Sequence, residues 1–447
     1  MLFSDLNLNK TLLNALDELN ITEPTAIQAK SFAPIMSGKD IVGISQTGTG
    51  KTFAFLLPTL RLWKFSKSPN AQILIIVPTR ELVVQIVDAI NSLTTYMSVH
   101  TVGVYGGTNM RPQLIAVEAG LDIVVGTPGR LVDLIRTGSL KTKGIKRVII
   151  DEVDEMLNLG FRTQLKNLID FLPAKRQHLM FSATMTEDVE EVINGITDYY
   201  TKIEAAPSGA PLENIEQIGY PAANFNTKAN LLQHLFESDE TMTKVLVFAK
   251  TKKLADALFE RMQPHFEETI GIIHSSKSQN NRFKTVASFQ EGTFTYLIAT
   301  DIIARGLDVS KVTHVINFDL TDTAEKYIHR IGRTGRSEQK GIAISFISED
   351  DKPYQLEIEE LMNLKIDLVP FPENVEVSDE LIPLEELKDL IPHNLHKVKI
   401  AEPTGPAFHE KSSKNSKINN KIRHVELMKA KYGKPRTRGD KFQNKKK

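Results

Sequence analysis

The feature that most limits how this chain can fold is a recurring short run of apolar, mostly β-branched residues: Ile41–Ile44, Ile73–Val77, Val99–Val104, Ile123–Val125, Val148–Ile150 and Leu179–Phe181. Within each run the apolar character is continuous, not alternating, which a strand requires when helices cover both faces of its sheet. Helix-like stretches such as Glu81–Leu93, Arg130–Arg136 and Phe161–Phe171 separate the runs, so the order is βαβ and the expected product is a doubly wound parallel sheet. Near Ala205 the pattern stops at AAPSGAPLEN, a composition suited to an exposed hinge. It then restarts at Val245–Phe248, Ile270–Ile273, Tyr296–Ala299, Val315–Phe318 and Ile342–Phe346. The expected architecture is α/β, with two tandem doubly wound domains at 1–205 and 213–370 joined by a linker at 206–212. An acidic-to-polar extension (371–410) and a basic tail (411–447) follow, and the tail can bury too little to offset its chain entropy.

Charge is distributed unevenly. The formal net charge is zero, yet Lys411–Lys447 holds eleven Lys and three Arg against Glu426 and Asp440, so a tail of +12 follows a body of −12. That layout fits a polyanion-binding arm; a solvated tail that aids solubility is the plainer alternative. The absence of cysteine excludes disulfides, thiolate zinc sites and thiol catalysis. The opening MLFSDLNLNK lacks a basic start with an apolar core, and no apolar run approaches membrane-spanning length, so a cytoplasmic protein is expected.

Three stretches carry chemistry. Ser45–Thr52, SQTGTGKT, lies between an apolar run and a helix-like segment. There, backbone N–H groups of Ser45, Gln46, Thr47, Gly48, Thr49 and Gly50 can close around phosphate oxygens, Lys51 can reach the outer phosphates, and the Thr52 hydroxyl can hold a magnesium ion. The usual pattern opens with glycine where Ser45 stands, and a plain serine- and glycine-rich loop is the alternative. Asp151-Glu152-Val153-Asp154 follows the strand-like Arg147–Ile150, where Asp151 can hold Mg²⁺ and Glu152 can orient or deprotonate a water; alone, it reads as a solvated acidic loop. His329–Arg336, HRIGRTGR, spaces three arginines by three and three; it is either a basic loop or a source of positive charge, from Arg333 and Arg336, for a transferring phosphoryl group.

Taken together, the chain resembles the DEAD-box RNA helicases, superfamily-two ATPases built from two RecA-like domains. The matching stretches occur in the family's order from Phe3 to Arg336: PTAIQ at Pro24–Gln28, SQTGTGKT, PTREL at Pro78–Leu82, Gly106-Gly107, TPGR at Thr127–Arg130, DEVD, SAT at Ser182–Thr184, QNNR at Gln279–Arg282, ATDIIARGLD at Ala299–Asp308, and HRIGRTGR.

The resemblance implies ATP and Mg²⁺ as ligands and RNA as partner. It implies that Gln28 reads adenine with Phe3 as its aromatic neighbour, and that Asp308 contacts the ribose. It further implies that Pro78, Thr79, Arg80, Gly107, Thr127 and Arg130 in the first domain, and Arg282 and Thr300 in the second, touch the RNA backbone without reading bases. Ser182 and Thr184 would link the ATP site to strand separation. Departures are Val153 for the family's alanine, Ile21 for an aromatic residue, and His274-Ser275 for His-Gly. The implied function is an ATP-dependent RNA helicase; an RNA clamp with negligible turnover and a DNA-acting enzyme are the alternatives.

Overall fold

The computed structural model describes residues 1–45, 48–204, 214–301, 311–335 and 340–389. Two seven-stranded parallel sheets carry the fold. The first comprises β1 (Ile41–Ile44), β2 (Ile73–Ile76), β3 (Thr101–Val104), β4 (Ile123–Gly126), β5 (Arg147–Ile150), β6 (Gln177–Ser182) and β7 (Thr201–Glu204), ordered β3-β4-β2-β5-β6-β1-β7. The second comprises β8 (Ile215–Pro221), β9 (Val245–Phe248), β10 (Ile270–Ile273), β11 (Tyr296–Ala299), β12 (His314–Asn317), β13 (Gly341–Ile347) and β14 (Asp367–Leu368), ordered β10-β11-β9-β12-β13-β8-β14. Position for position these are one strand order used twice.

The uninterrupted apolar runs are explained by the cores. Successive residues of a strand point to opposite faces, and in the first sheet both faces are dry. Ile73, Ile75, Ile149 and Leu179 enter one cluster, whereas Leu74, Ile76, Val148 and Met180 enter the other. Gly43 leaves space on the first face for the Phe181 ring, which lies 5.3 Å from Phe55 of the helix Lys51–Leu62. The helix that follows the phosphate-loop sequence is thereby packed onto the sheet before any ligand arrives.

The two tandem domains expected from sequence are present as parallel-sheet α/β units. Three strands escape the apolar-run criterion: β7, whose burial is partial; β8, whose burial alternates; and the two-residue β14. Register is set by the parallel ladders, in which Ile44 pairs with Ser182 and Ile150 with Met180. The C-terminal ends of β5, β6 and β1 therefore lie side by side at the edge of the sheet where α/β folds place ligands.

Beyond 370 the chain is not loose. Phe371 and Ile382 pack on the second-lobe core, and Val375 is buried in it. The helix Phe225–Ser238 and its cap hold this segment by its backbone: Asn226 and Asn230 donate to the carbonyls of Glu380 (2.9 Å) and Glu376 (3.1 Å), and Thr227 exchanges hydrogen bonds with Ser378 (3.1 Å each way). Glu385 accepts from the Phe225 N–H at 2.8 Å. The expected linker at 206–212 and the tail 411–447 lie outside the described residues. A chain ending at Pro370 is predicted to unfold with about 3 kcal/mol less stability in its second lobe than one ending at Asp389, through lost burial and these hydrogen bonds; urea denaturation of the two would show equal midpoints if the strap carried no stability.

Candidate nucleotide and RNA site

The site is assembled on the three adjacent strand ends. From β1 the chain enters the phosphate loop, where Gly48 and Gly50 take φ of 83° and 86°, a left-handed backbone that a side chain resists. Ser45 donates its N–H to the Ser182 carbonyl (3.1 Å), and its hydroxyl hydrogen-bonds Thr49. Lys51 begins the helix Lys51–Leu62 and is buried, and its ammonium has no hydrogen-bond partner among the described residues. A buried ammonium without a hydrogen-bond acceptor is costly, and a strong anion such as phosphate would satisfy it. Thr52 is half-buried beside it, and Gln46 and Thr47 lie outside the described residues.

From β5 come two carboxylates with opposite electrostatic fates. Asp151 is buried, and burial pushes its carboxyl up to about 7 even though Lys51 pulls it down; Glu152 adds to the rise. Asp154 is buried as well, but its environment outweighs burial. His329, then Lys51 and the Thr184 hydrogen bonds, hold its carboxyl below the ordinary 3.8. Asp154 Oδ2 accepts from the N–H groups of Ala183 (3.1 Å) and Thr184 (3.0 Å) and from the Thr184 hydroxyl (3.1 Å), and Oδ1 accepts from the Glu155 N–H (3.0 Å). The Asp154 N–H in turn donates to Ser182 Oγ at 3.3 Å. Ser182 and Thr184 are thus brought against the acidic box. Between the carboxylates, Glu152 is half-buried with φ of 52°, a left-handed conformation unusual for a non-glycine residue, as it starts the helix Val153–Asn158. Val153 is fully buried, its extra methyl groups packed within the core.

Across from this box, His329 Nε2 lies 3.7 Å from Asp154 Oδ2, joining the second lobe to the first. The three arginines of HRIGRTGR have different surroundings. Arg330 is buried on Asp301 (2.5 and 3.0 Å), Asn317 (3.1 Å), the Asp319 carbonyl (2.7 Å) and the Phe248 ring, 4.9 Å from its centroid. Arg333 donates through Nε to the His329 carbonyl at 3.3 Å, and Arg336 and Asp308 lie outside the described residues.

Several residues implied in ligand contact have other partners. Gln28 is buried, donating to the Gly50 carbonyl (3.0 Å) and accepting from the Thr25 N–H (2.9 Å), so it grips the phosphate loop. Phe3 is 2% exposed and belongs to the first core, which leaves no free ring face for a base; Ile21 packs on the same cluster. Arg130 donates to Gln113 (2.7 Å) and the Thr108 carbonyl (2.9 Å), bracing the loop that holds the exposed Gly107. Thr79 caps its helix through the Leu82 N–H (3.3 Å), and Pro78, Thr127 and Thr300 are buried. Arg80 and Arg282, from different lobes, are brought together.

Asp154, His329, Glu81 and Gln279 were not singled out from sequence, although all four lie within the quoted motifs. Their importance comes from pairing across strand ends and lobes, which spacing along the chain does not encode.

A seven-stranded parallel sheet with a glycine-rich turn, a buried lysine and a carboxylate on a neighbouring strand end defines a phosphate-binding α/β protein. Residues 25–192 match the profile of the DEAD/DEAH box helicase family and residues 227–338 that of the helicase conserved C-terminal domain. Eukaryotic initiation factor 4A of Drosophila melanogaster is 37% identical over 368 residues, spanning 82% of this chain and 91% of that protein. The DEAD-box ATP-dependent RNA helicase CshA of Bacillus subtilis is 34% identical over 394 residues, 88% of this chain and 79% of that protein. Among solved structures, S. cerevisiae Dbp5 bound to RNA and ADP BeF3 superposes with a TM-score of 0.75 at 27% identity, covering 87% of this chain and 98% of that one. The chain belongs to the DEAD-box helicase family. No helix among the described residues is long and apolar enough to cross a membrane.

The raised Asp151 has a measurable consequence. Its carboxyl binds a proton more tightly folded, near pH 7, than unfolded, near 3.8, so stability from this group is full below about pH 4 and is lost as pH rises through 7. Asp151→Asn removes that loss, and its stability relative to the parent is predicted to grow by about 2 kcal/mol from pH 5 to pH 8. Urea titrations at the two values test it; a constant difference would place the Asp151 carboxyl in its ordinary range.

Proposed function

We propose that this protein is an ATP-dependent RNA helicase, in which RNA-stimulated ATP hydrolysis drives local separation of short duplexes with little regard for base sequence. The observation that carries the reading is the meeting of the β1, β5 and β6 ends around the unpartnered Lys51 ammonium, with His329 of the other lobe against Asp154. Membership of the family, and relatives and a structural neighbour whose names specify ATP-dependent RNA helicase activity or bound RNA and ADP BeF3, support it.

Within that reading, the N–H groups of Ser45–Gly50 and the Lys51 ammonium hold the phosphates, and Thr52 and Asp151 hold Mg²⁺, which when bound neutralises phosphate charge. Asp151, a carboxylate whose charge burial disfavours, suits a divalent ion shared with phosphate oxygens. Glu152 orients the attacking water and takes its proton. Arg333, set beside the inter-lobe His329 by its own hydrogen bond to that residue's carbonyl, supplies positive charge to the transferring group, with Arg336 as its companion. Gln28 assigns the preference for adenine and, through Gly50, links that choice to the loop. Asp308 meets the ribose. Arg80, Gly107, Thr127, Arg282 and Thr300 line the RNA path, Arg130 braces it, and the basic tail Lys411–Lys447 tethers RNA electrostatically.

Turnover measured with and without single-stranded RNA tests the reading, with Glu152→Gln as the internal control. The parent should be stimulated by RNA, and Glu152→Gln should lose on the order of 10²-fold or more in turnover while binding nucleotide within a few-fold of the parent. Turnover indifferent to RNA would sink the proposal, and full activity in Glu152→Gln would remove that residue from its role.

A further inference from the structure

The phosphate loop is anchored at both ends through its backbone. At its start, β1 lies between β6 and β7, and the Ser45 N–H donates to the Ser182 carbonyl at 3.1 Å, one step beyond the Ile44–Ser182 pair of the ladder. At its far end, Gln28 Nε2 donates to the Gly50 carbonyl at 3.0 Å, and Gly50 lies so close to that amide that a Cβ would collide with it. Between these anchors the chain passes through Gly48 and then Gly50, both left-handed. Glycine loses more conformational freedom on being fixed than any other residue, so such an arc resists taking one shape unaided.

A third contact crosses the arc. Ser45 is 3% exposed, and its hydroxyl hydrogen-bonds the hydroxyl of the half-buried Thr49. A buried hydroxyl needs a partner, and this one finds it in the loop instead of in the core. Because the Ser45 backbone is fixed by the sheet, the bond carries the rigidity of β1 to Thr49, the residue before Gly50 and two before Lys51. Glycine, the usual first residue of this loop pattern, would keep both end anchors and lose the crossing contact. Alanine would do the same.

We propose that Ser45 is a positioning residue whose hydroxyl, through Thr49, holds the Gly48–Lys51 arc in a phosphate-receiving shape before a nucleotide arrives. The inference rests on the nucleotide reading above and adds what prepares the cradle: the Ser45 side chain acts on Thr49, not on phosphate. A loop ordered in advance has less freedom to lose on binding, so the contact is expressed as nucleotide affinity. Ser45 also joins two parts of the site, because its N–H engages Ser182 and its hydroxyl engages Thr49.

Ser45→Ala removes the hydroxyl, Thr49→Val removes its partner at nearly constant volume, and Thr49→Ser keeps a hydroxyl on a shorter side chain. Calorimetric titration of the full-length proteins with Mg·ADP reads the effect, and nucleotide-free thermal unfolding shows that each variant is folded. The dissociation constant should rise roughly fivefold in Ser45→Ala and in Thr49→Val, the size of one hydrogen bond. The double variant should also bind about fivefold more weakly than the parent, because both changes delete the same contact. Thr49→Ser should stay within about twofold of the parent. Unchanged affinity in both single variants would overturn the proposal. So would tighter binding by Ser45→Ala, the mark of a hydroxyl pair that closes the loop against phosphate, and so would multiplied losses in the double variant, the mark of two hydroxyls acting separately. A parent that does not bind Mg·ADP would instead overturn the nucleotide reading itself. Should Ser45→Ala unfold, Thr49→Val against Thr49→Ser decides the matter.

Discussion

A buried carboxylate obliges its neighbours to supply donors, and Asp154 is where this fold meets that obligation. Four donors converge on it, three of them from the turn after β6, and removing a partner from such a charge costs several kcal/mol. Its hydrogen bonds therefore fix the Ser182–Thr184 turn against the β5 end. Because Ser182 also accepts from the Ser45 N–H through its carbonyl, the same constraint reaches the start of the phosphate loop. With His329 3.7 Å away, Asp154 is the point where three strand ends of one lobe feel the position of the other.

The two lobes share a strand order yet cannot exchange roles, and local sequence explains why. The turn after β1 contains Gly48 and Gly50 in left-handed conformations and delivers Lys51, buried and unpartnered. The equivalent turn after β8 has no glycine; Asn224 caps the helix through the Thr227 N–H at 2.9 Å, and the strap covers the surface. The lysine of that helix, Lys228, is already served by Asp319 at 3.4 Å and Asp351 at 3.8 Å. An anion would find an open charge in the first lobe and a satisfied one in the second. Specialisation between the lobes thus comes from two glycines and the partners of two lysines, within one topology.

Much of this architecture is legible in sequence because burial on both sheet faces leaves a strong local trace: the expected runs recover β1, β9, β10 and β11 residue for residue. β8 and β14 leave weaker traces, since alternating burial and a two-residue length produce no apolar run. At the site, residue types at fixed spacing single out Lys51, Asp151 and Glu152 as candidates, but do not give the partners of an arginine. Arg130, Arg330 and Arg80 look alike in sequence. Packing makes the first a brace for a loop, the second a buried post on Asp301 and Phe248, and the third half of an inter-lobe pair. Gln28 carries the same lesson, because its hold on Gly50 depends on a helix and a loop meeting 22 residues apart.

The electrostatic imbalance at the phosphate loop specifies what can complete it. The Lys51 ammonium has no hydrogen-bonded acceptor among the described residues, whereas Asp151, pushed to about 7 by burial, is not kept ionised by Lys51 alone. A phosphate alone would satisfy the lysine and aggravate the carboxylate; a divalent ion alone would satisfy the carboxylate and repel the lysine. A ligand that presents phosphate oxygens and a divalent ion together resolves both defects at once, and the gain from each depends on the presence of the other. Two side chains whose individual environments are unfavourable thus favour a ligand that carries both charges together.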